Sequence, residues 1–282
     1  MQVTVAKTAG FCFGVRRALE LTQKSAALSP TCTLGELIHN RQVVEELAGQ
    51  GVTVIERPED APAGTAVVIR SHGVGPQVYD TLRAQGSPVI DATCPFVKRI
   101  HQIAAEVPED GLLLLAGRRE HPEVQGILGY CRGPALVFSS AEEMQELLAF
   151  LPSDGNIPVI LAAQTTFSLR EWEKILFFAK KVCTNLKVFD TICRATIERQ
   201  SEAKQLAQSA DAMVVVGGLH SANTTALAAL CGSYCPTVQV ETADQLERHR
   251  EALRGARFIG ITAGASTPAC IIKEVQNSMS VL

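Results

Sequence analysis

Residues 88–105 read PVIDATCPFVKRIHQIAA: a short apolar run, then Cys94, then a stretch with helical spacing. The same passage from strand-like to helix-like sequence surrounds Cys12 in residues 3–21, VTVAKTAGFCFGVRRALEL, and Cys193 in residues 187–207, KVFDTICRATIERQSEAKQLA. In the latter two cases an aspartate, Asp91 or Asp190, stands three residues before the cysteine. The windows lie roughly a third of the chain apart, so they form no local metal knuckle. They read as one structural unit used three times. Each unit presents a thiol at a strand's carboxyl end and a helix's amino end, where unpaired N–H groups and the helix dipole favour a thiolate. Three converging thiolates suit a shared metal centre and are one short of a closed four-ligand site. The expectation is an iron–sulfur cluster with one open iron.

Working outward, strand-like runs fall at 2–6, 31–34, 66–70, 88–90, 112–116, 135–138, 159–163, 188–189, 213–216, 237–240 and 258–261. Helix-periodic stretches, such as 15–24, 42–49, 78–85 and 169–181, separate most of them. This alternation predicts an α/β protein built of βαβ units with parallel sheets. The repeat sets the expected domains at 1–93, 94–192 and 193–282, three small α/β units around a central site. At 282 residues, 46% hydrophobic and 20% charged, the chain suits several such units. A net charge of −3 offers no basic field for nucleic acid, and no apolar run is long enough to span a membrane. The amino end lacks the pattern of a secretory signal, and nine cysteines without scaffold spacing suit a reducing compartment. A cytoplasmic location is expected.

Each third carries two further strand ends with polar residues. These are His39–Asn40 and Ser71–His72 in the first, His121 with Glu123 and Thr165–Thr166 in the second, Ser221 with Asn223 and Ser266–Thr267 in the third. Ligands of open parallel sheets bind beyond the carboxyl ends of the strands. Serine, threonine or asparagine at a helix start is most often a simple cap, yet the same free N–H groups can hold a phosphate. Several such loops, with His39 and His72 in matching positions, suggest an anionic ligand held mostly by neutral hydrogen bonds. No nucleotide-binding glycine motif is present; VVVGGLHSAN has its glycines in the wrong arrangement.

In EHPEV, His121 and Glu123 flank Pro122, which forbids a regular helical hydrogen bond there. Glu123 reads either as an ordinary first-turn carboxylate or, if desolvated beside an anion, as a proton donor. Thr165 and Thr166 can relay that proton or hold a substrate oxygen. His101 and His249 lie on polar helical stretches and are expected to face solvent; His220 is ambiguous. Cys32, Cys131, Cys183, Cys231, Cys235 and Cys270 are expected to be small buried hydrophobes. The cations after each junction cysteine, Arg16–Arg17, Lys98–Arg99 and Arg194, either offset a negative cluster or line a solvated helix face.

GFCFGVRRAL, GELIHNRQVVEEL, RSHGV, DATCPFV, HPEVQG, AQTTFS, TICRATIERQ and TAGAS together resemble the 4-hydroxy-3-methylbut-2-enyl diphosphate reductase family. The similarity runs in order from residue 10 to about residue 270. The resemblance implies three α/β domains in pseudo-threefold arrangement around a [4Fe–4S] cluster held by Cys12, Cys94 and Cys193. It implies a diphosphate held by His39, His72, Ser221, Ala222, Asn223 and Ser266. His121 would lie near the substrate hydroxyl and diphosphate, Glu123 would supply protons, and Thr165 with Thr166 would bind the hydroxyl. Electrons would come from a ferredoxin or flavodoxin type carrier, and the products would be isopentenyl and dimethylallyl diphosphate. The phosphate loop departs from the family pattern: Ala222 replaces a second serine and Ala226 a downstream basic residue. Two other classes stay open, an iron–sulfur hydro-lyase of a small phosphorylated substrate and a non-catalytic redox sensor.

Overall fold

The structure is a computed structural model and describes residues 1–38, 40–149, 157–183 and 185–279. Along the chain, β1 (Gln2–Val5) leads into α1 (Phe13–Ala26), β2 (Thr31–Leu34), α2 (Arg41–Gly49), β3 (Thr53–Ile55), β4 (Ala66–Ile69), α3 (Pro76–Ala84) and β5 (Val89–Asp91). Next come α4 (Pro95–Ala105), β6 (Leu112–Ala116), α5 (Pro122–Leu128), β7 (Ala135–Phe138), α6 (Ala141–Ala149), β8 (Val159–Ala163), α7 (Leu169–Val182) and β9 (Leu186–Val188). The last third holds α8 (Arg194–Ser209), β10 (Ala212–Val216), α9 (Ala222–Gly232), β11 (Thr237–Val240), α10 (Arg250–Leu253), β12 (Phe258–Ala263) and α11 (Ala269–Ser278).

The described strands form three parallel four-stranded sheets, ordered β3-β2-β4-β5, β7-β6-β8-β9 and β11-β10-β12-β1. The three orders are one order. In each sheet the first and third strands of the unit are central, the second and fourth are edges, and the cysteine follows the fourth. The last sheet obtains its fourth strand from the amino end of the chain, where Gln2 to Val5 pair with Phe258 to Ile261. This departs from the expected 1–93 unit, which placed that strand with the first third. Without a preceding crossover, β1 is free to complete whichever sheet has an open edge, and β12 supplies one. Edge strand β3 is short and mostly exposed, and no strand was expected there.

By packing, the chain divides into two compact units: Met1–Arg16 with Ile38–Gln50 and Arg194–Leu282, and Arg17–Leu37 with Gly51–Cys193. The first contains the β10 sheet, apolar on both faces. Val214, Val216, Ile259 and Ile261 pack with Ile271 and Val275, while Met213 and Val215 pack with Ala203, Ala207 and Leu227. Burial on both sides explains why β10 reads AMVVV without alternation. The second unit contains the other two sheets, with cores around Leu113, Leu115, Val124 and Ile127, and around Cys32, Val67, Ile69 and Leu82.

Two expectations about single residues change. His101 faces the interior, 5% exposed, stacked on Tyr130 at 4.4 Å between ring centroids. The apolar spacing of α4 buries Val97, Ile100 and Ala104, and His101 lies beside Ile100 and Ala104 on that face. Burial holds its imidazole pKa down at about 4, so it is neutral at pH 7. Gly73 makes room for it: its φ is +71°, and a Cβ there would lie 2.5 Å from His101 Cε1. Of the six cysteines expected inside, Cys32 and Cys231 are buried, Cys131, Cys183 and Cys235 are half-buried, and Cys270 is exposed. Burial pushes the Cys231 thiol up to about 12.

Gly260 in β12 lets α8 approach the sheet, since a Cβ there would come within 2.7 Å of Leu206 Cγ and 2.4 Å of Met213 Sδ. Gly260→Ala is expected to destabilise the protein by about 1–3 kcal/mol through overpacking, read as a lower denaturant midpoint at unchanged slope. A midpoint equal to wild type would contradict this packing.

Candidate active site

In the second unit, α5 starts directly at Pro122, whose missing N–H costs nothing at a helix's first position. The proline therefore begins the helix rather than interrupting one. His121 is its cap: Nδ1 accepts the Glu123 N–H at 3.1 Å. The His121 ring meets His72 edge-on, 5.3 Å between centroids. Glu123 is 2% exposed, and both its oxygens are engaged by one residue. Thr165 donates its N–H to Oε1 at 2.7 Å and its hydroxyl to Oε2 at 2.8 Å. Burial raises the Glu123 carboxyl to about pH 7, against the opposing pull of the two Thr165 bonds. A group at that value gives or takes a proton readily near neutrality. Thr166 receives Gln164 Nε2 on its hydroxyl at 3.2 Å.

Cys94 and Cys193 are half-exposed thiols, each immediately before a helix, α4 and α8 respectively. The Cys94 N–H donates to Ser71 O, and the Cys193 N–H to Thr165 O, each at 3.0 Å. Thr165 thus holds Glu123 through its N–H and hydroxyl and Cys193 through its carbonyl. Ser71, which holds the Cys94 N–H, is the residue before His72.

The first unit repeats the device. Half-exposed Cys12 precedes α1, and its N–H donates to Ala265 O at 3.3 Å, next to Ser266. Ser221 caps α9, its hydroxyl oxygen accepting the Thr224 N–H at 3.5 Å. Asn223 is 7% exposed, and its buried Nδ2 has no partner among the described residues. Ala222, the first residue of α9, brings a backbone N–H and no side-chain donor. Ser266 is 8% exposed. His39 lies outside the described residues. His220 is exposed and His249 half-buried. Among the described residues, no group of three or more His, Cys, Asp or Glu side chains is gathered closely enough to hold a metal ion.

A family model described as LytB protein matches residues 3–280. The chain belongs to the LytB family. Relatives include the 4-hydroxy-3-methylbut-2-enyl diphosphate reductase of Caldanaerobacter subterraneus subsp. tengcongensis, 41% identical over 98% of this chain and 95% of that protein. The reductase of the same name from Geobacter sulfurreducens is 43% identical over 98% and 95%. Among solved structures, the chain is similar to (E)-4-hydroxy-3-methyl-but-2-enyl diphosphate reductase, described as the terminal enzyme of the non-mevalonate pathway. That likeness has a TM-score of 0.69 at 38% identity and covers both chains fully. The Plasmodium falciparum E-1-hydroxy-2-methyl-but-2-enyl-4-diphosphate reductase gives a TM-score of 0.90 at 26% identity, covering this chain fully and 87% of that one.

Membership in the LytB family implies an iron–sulfur cofactor. Cys12, Cys94 and Cys193, each half-exposed at a helix amino end and in no disulfide, are thiols of the kind such a cofactor takes as ligands. The cations after the cysteines have mixed roles: Arg17 donates to Asp91 O and Thr93 O, Lys98 pairs with Asp91 at 2.6 Å, and Arg194 pairs with Glu198 on the surface. Sequence reasoning missed Arg199 and Glu202, which bond the loop before Cys12, and Thr191, whose hydroxyl bonds Ala163. A signal existed for Arg199, a 3%-exposed arginine, only in its place five residues into a helix otherwise rich in exposed polar side chains.

Glu123 couples the site to stability. Its folded pKa, about 7, exceeds the ordinary 4.5, so the fold disfavours the ionised form. The penalty is absent below pH 4.5, where folded and unfolded chains are both protonated, grows up to about pH 7 and is constant above. At about 1.4 kcal/mol per unit it amounts to about 3 kcal/mol. Glu123→Gln removes the titration. Relative to this variant, wild type should lose about 3 kcal/mol of unfolding free energy between about pH 4.5 and pH 8 in denaturant titrations. Parallel pH profiles would contradict the buried acid.

Proposed function

We propose that the chain catalyses reductive dehydroxylation of 4-hydroxy-3-methylbut-2-enyl diphosphate, taking up two electrons and two protons and releasing water with isopentenyl or dimethylallyl diphosphate. The observation that carries the reading is the buried Glu123–Thr165 pair, set at neutral pKa beside the loop that holds Cys193. Family membership and full-length similarity to named reductases support it. In this reading Cys12, Cys94 and Cys193 hold one [4Fe–4S] cluster among three small α/β domains, the first strand of the chain belonging with the last of them, and a small ferredoxin or flavodoxin type protein in the cytoplasm reduces it. When bound, the cluster supplies the electrons and, at the iron lacking a protein ligand, Lewis acidity toward the substrate oxygen. None of the described helices is long and apolar enough to cross a membrane.

The protein's own work is positioning and proton supply. Asn223 Nδ2, the Ser221 and Ser266 hydroxyls, the first N–H groups of α9, His39 and His72 hold the diphosphate. A phosphate oxygen would satisfy that buried amide, which has no partner among the described residues. The Ser221 oxygen accepts a backbone N–H and leaves its own hydrogen to donate. The loss of a second hydroxyl at Ala222 leaves the backbone donor in place. His121 lies near the substrate hydroxyl, which Thr165 and Thr166 bind. Glu123 passes its proton through the Thr165 hydroxyl to the departing oxygen, so water leaves instead of hydroxide. A bound diphosphate nearby would raise the Glu123 pKa further and keep the proton on it near neutrality.

Steady-state kinetics with a chemical reductant test this. Glu123→Gln should lower kcat about 10²- to 10⁴-fold with little change in KM. Wild-type kcat should fall as pH rises beyond the Glu123 pKa, because the donor is then ionised. Wild-type kcat in Glu123→Gln, or turnover without any reductant as a hydro-lyase would show, would sink the proposal.

A further inference from the structure

We propose that Arg199 is a positioning residue for Cys12, its guanidinium clamping the carbonyls of the loop that delivers that thiol. The proposal rests on the reading of Cys12 as a cluster ligand and adds to it what fixes that ligand in place. The loop between β1 and α1 leaves its peptide groups outside any ladder, so other groups must satisfy them. They come from α8. Glu202 accepts the Lys7 and Thr8 N–H groups, each at 2.8 Å, and the Thr8 hydroxyl at 2.6 Å. Arg199 donates from Nε and Nη2 to Thr8 O at 3.1 and 2.7 Å, and from Nη2 to Gly10 O at 2.6 Å. The loop's donors are held by a carboxylate and its acceptors by a guanidinium one helical turn away. Gly10 adopts φ +101°, which turns the chain toward Cys12 and presents its carbonyl to Arg199. A planar fork spans two carbonyls at once; a lysine ammonium is a single point and cannot match it.

The other two cysteine loops are fixed independently, and the contrast gives the proposal its specificity. Arg17, on the helix after Cys12, reaches Asp91 O and Thr93 O at 3.3 Å each, in the loop before Cys94. Before Cys193 the same task falls to a hydroxyl: Thr191 Oγ1 donates to Ala163 O at 2.6 Å and accepts the Ala163 N–H at 2.8 Å. Loosening one clamp should therefore free one thiol.

Timed alkylation with iodoacetamide of full-length protein, prepared anaerobically and read by peptide mass spectrometry, tests this before and after reconstitution with iron and sulfide. In Arg199→Met, Cys12 should label about tenfold faster in unreconstituted protein, with Cys94 and Cys193 at wild-type rates. After reconstitution this variant should lose iron to a chelator faster than wild type. Arg199→Lys should fall between the two, and it decides the matter if Arg199→Met does not fold. Arg17→Met should speed Cys94 instead, and Thr191→Val should speed Cys193. Unchanged Cys12 labelling, or equal acceleration at all three cysteines and at buried Cys32 and Cys231, would overturn the proposal. Selective Cys12 labelling in protein that takes up no iron even as wild type would uphold the clamp and contradict the cofactor reading.

Discussion

Three peptide hydrogen bonds organise this protein's chemistry: Cys12 N–H to Ala265 O, Cys94 N–H to Ser71 O, and Cys193 N–H to Thr165 O. Each ties the exit of a fourth strand to the exit of the third strand beside it. The parallel order of the sheets makes the bond possible, because both strands end on the same edge. It has two consequences. The thiol is left half-exposed at the first turn of the following helix, and the loop that accepts the bond carries a polar residue next in sequence: Ser266, His72 or Thr166. A half-exposed thiol and a polar side chain are thereby brought to one sheet edge by one backbone contact.

The middle copy also holds a buried acid. Thr165 gives its carbonyl to Cys193 and its N–H and hydroxyl to Glu123, so the buried carboxyl and one thiol share a single residue. Burial of a carboxyl costs stability at neutral pH, and the two Thr165 bonds offset only part of that cost. In the other unit, the Nδ2 of Asn223 is a buried donor with no acceptor among the described residues.

Most of this was legible because both faces of each sheet are covered, which makes central strands such as AMVVV and LLLLA continuous apolar runs that periodicity detects. The edge strand TVI at Thr53–Ile55 escaped, being three residues long and largely solvent-facing. The triplicate cysteine junction revealed the repeat but not its phase. Nothing local in QVTV says that it pairs with a segment more than 250 residues away. His101 lies on the apolar face of α4 with Ile100 and Ala104, which its flanking Arg99 and Gln102 obscure, and the room that Gly73 leaves and the Tyr130 ring that stacks on it come from other elements. Pro122 forbids a regular helical hydrogen bond, and at the first position of α5 that loss costs nothing. Glu123 could be singled out by its motif; its desolvation and its Thr165 partner are tertiary facts.

The most direct measurement is iron and acid-labile sulfide counting, with the accompanying visible absorption, on anaerobically reconstituted wild type and on the Cys12→Ser, Cys94→Ser and Cys193→Ser variants. Wild type should hold about four irons and four sulfides per chain, and every single variant should fall well short of that with altered absorption. Full iron content and unchanged absorption in any one of the three would show that its sulfur holds no iron, and the shared three-thiol centre would be wrong.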